Sequence, residues 1–433
     1  MKKLVTLLAA AGMVAAAAAP ASAVDVKIDY RHRVSFTSTS ENFDGSNLEQ
    51  IKNRVRLGLT MAASENLKGY VQFQLLQNEL MGQQENTHGS NDTEVRQMYM
   101  DWKVPGTAVS VRMGRMEMGL PADAFGENAV MAAGFGSRDG VVVTAPVADW
   151  LTLTALWNRA AYESPATAKV KNDLDQNLSD DVYAAVASLK FDGVKADVYA
   201  AYATLDGATA SDTPKAKWSG SSLPKFEGDA YWIGFTSTWS FFDPFTLKLS
   251  AAYGAATADK YDVRDTKGWN IQAKASYKTA FGTPVFGAWY FSGDDAKDDL
   301  GTMPSVQGAF TPIRMYHDAS TGLNGGTGYE NPVGTWGIQA GIEKMSFVKD
   351  LSHGFWVSYV EGTNDQDLVS GKKSDYLGEE DSFVAFNLSN TYKIYKNLSA
   401  SLELYYMISD FETEVRDLSE DDYGFELTFE YKF

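Results

Sequence analysis

The stretch that most constrains this chain is its last nine residues. From Phe425 onward, large apolar residues (Phe425, Leu427, Phe429, Tyr431, Phe433) alternate without a break with polar ones (Glu426, Thr428, Glu430, Lys432). A strict period of two describes a strand with one apolar face and one wet face. An edge strand of a soluble sandwich has the same local pattern, so the decision rests on whether the pattern recurs along the chain.

It recurs. In 24–36, Val26, Ile28, Tyr30, Val34 and Phe36 share one parity, while Lys27, Asp29, Arg31, Arg33 and Ser35 share the other. His32 falls on the apolar parity, which suits a subunit contact or a place near the interface with water. The same alternation is found in 48–61, 269–278 and 397–410. Charges are nearly absent from the apolar parity, where each would cost about 2–4 kcal/mol in mid-membrane. Such strands suit a closed barrel with hydrocarbon outside and water inside. Half-apolar strands also explain a mean hydropathy of −0.26, with no stretch after residue 23 long enough to be a membrane helix.

Connections alternate between short and long. Turn chemistry marks Pro105-Gly106, 146–149, Asp192-Gly193, 242–244, 281–284, Lys349-Asp350 and Lys396-Asn397. Long polar loops are expected near 77–92, 117–137, 160–179, 206–226, 256–264, 294–333, 363–379 and 411–420. This rhythm predicts an all-β chain, a transmembrane antiparallel β-barrel of about 18 strands with its long loops on the outer side. The count falls to 16 if 93–104 and 138–145, the weakest segments, are not strands. In 95–104 the expected outward residues are Met98, Met100, Trp102 and Val104. Aromatics beside the short turns (Trp102, Trp150, Phe241, Phe281, Phe347) predict one interfacial girdle, and Trp157, Trp232, Trp269, Trp289 and Tyr290 the opposite one.

The N-terminus supplies the address. Lys2 and Lys3, an apolar run from Leu4 to Ala19 and Ala21-Ser-Ala23 form a secretory signal peptide spanning 1–23. Residues 24–433 are then a single barrel domain, with no room for a plug domain before the first strand. Cleavage takes the formal charge from −18 to −20, since Lys2 and Lys3 leave with it. That acidity argues against nucleic-acid partners. With no cysteine in the chain, cross-strand hydrogen bonding replaces disulfides.

Asn53-Arg-Val-Arg-Leu-Gly-Leu59, Leu67-Lys-Gly-Tyr-Val-Gln-Phe-Gln74, Val111-Arg-Met-Gly-Arg-Met-Glu-Met-Gly-Leu-Pro121 and Tyr431-Lys-Phe433 carry a family resemblance. Their order and spacing resemble trimeric outer-membrane porins, nearest the homotrimeric porin family of sulfate-reducing bacteria. The resemblance implies a homotrimer in the Gram-negative outer membrane, among lipid and lipopolysaccharide, inserted by the barrel-assembly machinery through a terminal signal of Phe429, Tyr431 and Phe433. It implies passive diffusion of ions and small hydrophilic solutes, or alternatively a channel selective for sugars or an oxyanion such as phosphate. It also implies a third loop, about 117–137, folded into the lumen. Glu117, Asp123 and Glu127 on that loop would face Arg31, Arg33, Arg54, Arg56 and Arg112 across a narrow water column.

Nothing in the sequence points to catalysis, a cofactor or a metal. His32, His88, His317 and His353 are isolated. No nucleophile motif is present, and Asp294-Asp-Ala-Lys-Asp-Asp299 lacks the spacing of a calcium loop.

Overall fold

The computed structural model describes residues 25–39, 48–80, 93–133, 137–163, 178–206, 227–258, 265–295, 301–306, 308–310, 312–313, 334–369, 377–412 and 422–433. The expected signal peptide, His88, His317 and the centres of several long loops lie outside them. The first nine strands are β1 (Asp25–Thr39), β2 (Leu48–Ser64), β3 (Leu67–Leu80), β4 (Thr93–Lys103), β5 (Ser110–Glu117), β6 (Ser137–Ala148), β7 (Leu151–Glu163), β8 (Leu178–Phe191) and β9 (Val194–Asp206). The rest are β10 (Glu227–Trp239), β11 (Phe245–Ala258), β12 (Thr266–Tyr277), β13 (Thr283–Phe291), β14 (Thr335–Val348), β15 (Leu351–Gly362), β16 (Ser382–Tyr395), β17 (Leu398–Asp410) and β18 (Asp422–Lys432). One helical turn, α1 (Gln366–Val369), lies between β15 and β16.

Each strand pairs antiparallel with its sequence neighbour, and β1 also pairs with β18, so the 18-stranded sheet closes on itself. The seam is sealed to its last residue, because Tyr30 and Phe433 exchange backbone hydrogen bonds of 3.0 and 2.9 Å. Closure leaves no edge of unpaired amides, which a membrane wall requires. The weak segments 93–104 and 138–145 are both strands. In β4 the expected facing holds, with Met98, Met100 and Trp102 all exposed outward. A bulge opposite Gln72/Phe73 shifts the register there. Arg96 thereby reaches Gln72 in the lumen.

The outward parity is apolar and exposed, as at Ile28, Ile233 and Phe286. Aromatics ring the barrel twice. Beside the short turns, Trp150 stacks on Phe191 with centroids 6.0 Å apart, and Trp239, Phe241 and Phe242 follow in a chain. Near the other end Trp157 pairs with Tyr183, and Tyr183 with Tyr202. The ring continues through Tyr231 and Tyr253 to Trp269, which stacks on Tyr290 at 4.9 Å, and then to Trp336 and Tyr359. Two residues expected in this second ring are not there. Trp232 and Trp289 occupy the opposite parity, point into the barrel and are buried against the luminal loops.

Candidate functional site: the luminal constriction

The interior is divided into a loop-filled half and a basic half. The third long loop, described for 118–133, turns inward as expected and runs across the wall from β7 to β13. The Asn158 side-chain amide on β7 donates to Met131 Sδ at 3.5 Å, and that of Asn128 donates to the Tyr199 hydroxyl on β9 at 3.5 Å. The Ala124 amide donates to Ser250 Oγ on β11 at 3.1 Å, and Phe125 packs edge-on against Trp289 of β13. Asn128 caps the loop's own turn by accepting from the amides of Val130 and Met131.

A second loop joins it. The described residues 301–306, 308–310 and 312–313, part of the loop expected on the outer side near 294–333, fold into the barrel instead. Val306 N donates to Val130 O at 2.7 Å and Ala309 N to Asn128 O at 2.9 Å, so the two loops run together through backbone bonds. Gly308 permits that approach, since a Cβ there would strike the Ala129 carbonyl. The wall holds this loop through its carbonyls: Trp232 Nε1 donates to Pro304 O at 2.7 Å, and Gln339 Nε2 to Pro312 O at 2.5 Å. Phe310 inserts between Phe125, Trp289 and Phe291. Composition had suggested a polar surface loop. The apolar spacing of Met303, Val306, Phe310 and Ile313, all buried, is the signal that could have shown otherwise.

Arg138 on β6 ties both loops to the wall. Its buried guanidinium donates to the carbonyls of Met118, Ala132 (3.1 Å) and Val306 (3.4 Å). Asp123 is the other anchor. Its Oδ2 accepts from the Ala129 amide at 2.8 Å and from Gln272 Nε2 of β12 at 3.2 Å. The carboxyl is 3% exposed. Burial pushes it up to about 7, against the smaller opposing effect of its hydrogen bonds to Ala129, Gln272 and Ser250. Asp123 is therefore a loop anchor turned away from the water column. Glu127 is exposed at the loop's tip.

The other half of the lumen carries the arginines. Arg31 stands directly across from Arg56, and Arg33 across from Arg54, on the paired strands β1 and β2. Like charges directly opposite destabilise a sheet. One carboxylate answers them from β18: Glu430 Oε1 accepts from Arg31 Nε at 2.6 Å and from Arg33 Nη2 at 3.0 Å. Arg56 Nε donates to Gln74 Oε1 at 2.7 Å, and Arg54 has no ion pair among the described residues. Arg96 pairs with Glu117. Arg112 grips Asp101 with both arms of its fork, at 2.6 and 2.9 Å, and lies 4.2 Å over the Tyr99 ring. So Glu430, Glu117 and Asp101 stand beside the arginines, where the expectation had loop acids facing them from the opposite side. Arg96, Glu430 and Asp101 were not among the expected site residues. Their inward parity was readable, but their pairing across strands was not.

Between the third loop and the inner face of β4–β9 lies a chamber of about 660 Å³. Arg112, Asp101, Glu117 and Asp197 give it charge, and Leu120, Val142, Leu156 and Val186 give it an apolar side. Among the described residues no group of three or more His, Cys, Asp or Glu side chains could hold a metal ion.

No protein-family model matches the chain, and no curated protein does. Solved structures do. Pseudomonas aeruginosa OprD is 14% identical with a TM-score of 0.57, covering 94% of this chain and 95% of its own. The outer-membrane protein OpdK of that organism is 12% identical with a TM-score of 0.56, covering 94% and 98%. P. aeruginosa OpdL is 12% identical with a TM-score of 0.59, covering 94% and 99%. At such identities the likeness is one of fold, and it extends over almost the whole of the described barrel.

Proposed function

We propose that this protein is a bacterial outer-membrane channel for passive diffusion of ions and small hydrophilic solutes, working as a homotrimer of the porin type. A closed wall, apolar outside and polar inside, suits no soluble setting, and the solved structures of similar fold include the outer-membrane protein OpdK. The observation that carries the reading is the water-facing arginine wall of Arg31, Arg33, Arg54 and Arg56 beside two anchored loops. It combines a charged polar side with a narrowing built from two anchored loops. Arginine suits the task because it stays charged and presents a fixed donor fork.

On this reading Arg31, Arg33, Arg54, Arg56 and Arg112, with Glu117 and Glu127 nearby, set the field a solute crosses. The excess of guanidinium over carboxylate at the narrowing favours anions, although the whole chain is acidic. The test is the reversal potential of the purified protein in a planar bilayer under a salt gradient. Anion preference is expected. Arg54→Ala combined with Arg56→Ala should lower the anion-to-cation ratio roughly threefold, the effect of losing about one kT of local attraction. An unchanged ratio would remove the arginines from the selectivity mechanism.

The alternative is a channel selective for a sugar or an oxyanion such as phosphate. The chamber beside the third loop favours it, because its apolar side next to paired charges offers more than a plain aqueous bore. Conductance that saturates and is blocked by one solute class would support selectivity, while linear conductance supports diffusion.

A further inference from the structure

The wall of the chamber beneath the third loop is banded. One row of cross-strand neighbours on β5–β8 holds Arg112, Val142, Leu156 and Ala184. The next row toward the short turns holds Ser110, Thr144 and Thr154, followed by Val186. One row further, Ser188 on β8 stands across from Asp197 on β9. Leu120 and Pro121 of the third loop close over the aliphatic row and line the same chamber of about 660 Å³. The result is a cleft with aliphatic carbon along one side and hydroxyls along the adjoining side. Thr144 Oγ1 and Thr154 Oγ1 are 3.4 Å apart, and each hydroxyl can both donate and accept.

The charges of this cleft are answered by the protein itself. Arg112 is forked onto Asp101, and Glu117 pairs with Arg96. Asp197 lies between Ser188 and Thr236 of the neighbouring strands, with Lys190 and Lys195, each other's cross-strand neighbours, one row beyond to compensate it. An ion therefore finds no uncompensated counter-charge here. What the cleft offers is hydrogen bonding beside an apolar surface, in a volume within the range of about 300–1,000 Å³ usual for small-molecule sites.

Hydroxyls alone would mean little, since any aqueous lumen carries them. Thr391 Oγ1 and Ser401 Oγ, 3.1 Å apart on the inner face of β16 and β17, are such a pair. The rows on either side of that pair are Ser389–Glu403 and Lys393–Ser399, polar throughout. The Thr144–Thr154 pair differs in having an aliphatic row beside it and a loop above it.

We infer that the chamber seats a small uncharged saccharide, with the C–H face of its ring on Leu120, Val142 and Leu156 and its hydroxyl edge on Ser110, Thr144, Thr154 and Ser188. A pyranose has this division, carbon-bound hydrogen on its faces and hydroxyls round its rim. The inference rests on the membrane-channel reading above and deepens its selective alternative by naming the solute and its seat.

Glucose is the probe. Ion current through wild-type protein in planar bilayers should fall saturably as glucose rises, with its half-effect in the millimolar range, where a solute still leaves readily. The half-effect should be the same at about 0.1 and about 1 M salt, because a neutral solute is not screened. Triethylene glycol, which obstructs without a ring or a hydroxyl rim, should lower the current without saturating. Thr144→Val combined with Thr154→Val should raise the glucose half-effect roughly tenfold, the loss of two modest hydrogen bonds. Thr391→Val combined with Ser401→Ala should leave it unchanged. Ser188→Ala, shifting it roughly threefold, serves if the valine pair fails to fold, which heat-modifiable gel mobility checks. Saturation-transfer NMR of glucose on the detergent-solubilised barrel reads contact without conduction. The inference is overturned if glucose does not saturate in a conducting barrel, if both double variants shift the half-effect equally, or if the half-effect climbs with salt. A conducting barrel with neither saturation nor NMR contact sinks the saccharide seat and leaves the channel standing. A silent barrel whose NMR contact is lost only with the Thr144 and Thr154 hydroxyls does the reverse.

Discussion

Asp123→Asn is the most informative single change to the constriction. The carboxyl is held at about 7 against an ordinary 3.8 by burial. That gap of about three units, at about 1.36 kcal/mol each, means ionisation costs the anchored loop up to about 4 kcal/mol. The sign follows from the raised value. Below the unanchored pKa the group is protonated in both states and the anchor is at full strength. As pH rises from about 4 through 7 the released loop ionises more readily, and stability of the anchored form is lost. Asparagine has the same shape, is neutral at every pH, and its carbonyl can accept from the Ala129 amide and Gln272 as Asp123 does. The assay is hydrogen exchange of peptides spanning 119–133 in the folded barrel, corrected for intrinsic rate, from pH 5 to 9. Wild-type protection should fall from pH 5 to about 7 and level off above it, because local opening tracks the free energy of release. The Asp123→Asn loop should keep its low-pH protection throughout. Equal pH dependence in the two proteins would show that Asp123 does not govern the loop, and the account of its burial would fail.

Other changes test other links. Arg138→Ala strands three loop carbonyls and should cost roughly 3–5 kcal/mol; the thermal midpoint of the folded barrel and open-channel noise should both show it, and an unaltered channel would mean the loops are held elsewhere. Trp232→Phe removes the bond to Pro304 O and part of a fully buried side chain and should cost about 2–3 kcal/mol, read as a fall in the same midpoint with the 301–313 segment exchanging faster. Deleting Phe433 removes the backbone pair with Tyr30 that seals β1 to β18 and a large terminal aromatic. Levels of folded protein in the outer membrane should fall several-fold, and normal levels would count against a role for this residue in assembly.

The wall was legible in the sequence because its rule is local. A residue's parity fixes whether it meets hydrocarbon or water, so the terminal strand and 24–36 could be read one residue at a time. Bulges are the exception. The one in β3–β4 inserts a residue, so Val95 and Met98 both face outward although their parities differ. The inward course of 301–313 was only half legible: the spacing of Met303, Val306, Phe310 and Ile313 signals burial, but what they are buried against depends on partners far along the chain, Trp232, Gln339 and the third loop itself. For the same reason Trp232 and Trp289 read as interfacial aromatics. Their inward parity was visible, but only the arrival of Pro304 and Phe310 explains an indole there. Asp123 read as a field residue because a loop carboxylate is usually solvated. Only the approach of Gln272 and Ser250 from two other strands takes it out of water.

The arginine wall raises a last question of energetics. Two guanidinium pairs directly opposed on β1 and β2 work against that hairpin, and Glu430 offsets them only in part. What holds the register is the other face of the same strands. A slip of one residue would turn Arg31, Arg33, Arg54 and Arg56 toward lipid at about 2–4 kcal/mol each and bring Tyr30, Val55 and Leu57 into water. Closure reinforces this, because β1 is clamped on both sides by β2 and β18 and cannot shift without breaking the seam. The barrel can therefore concentrate positive charge where an isolated hairpin could not, and the repulsion stays directed into the lumen. It follows that neutralising Arg54 and Arg56 should stabilise the fold slightly while weakening selectivity. A wall whose arginines served only as supports would instead lose stability.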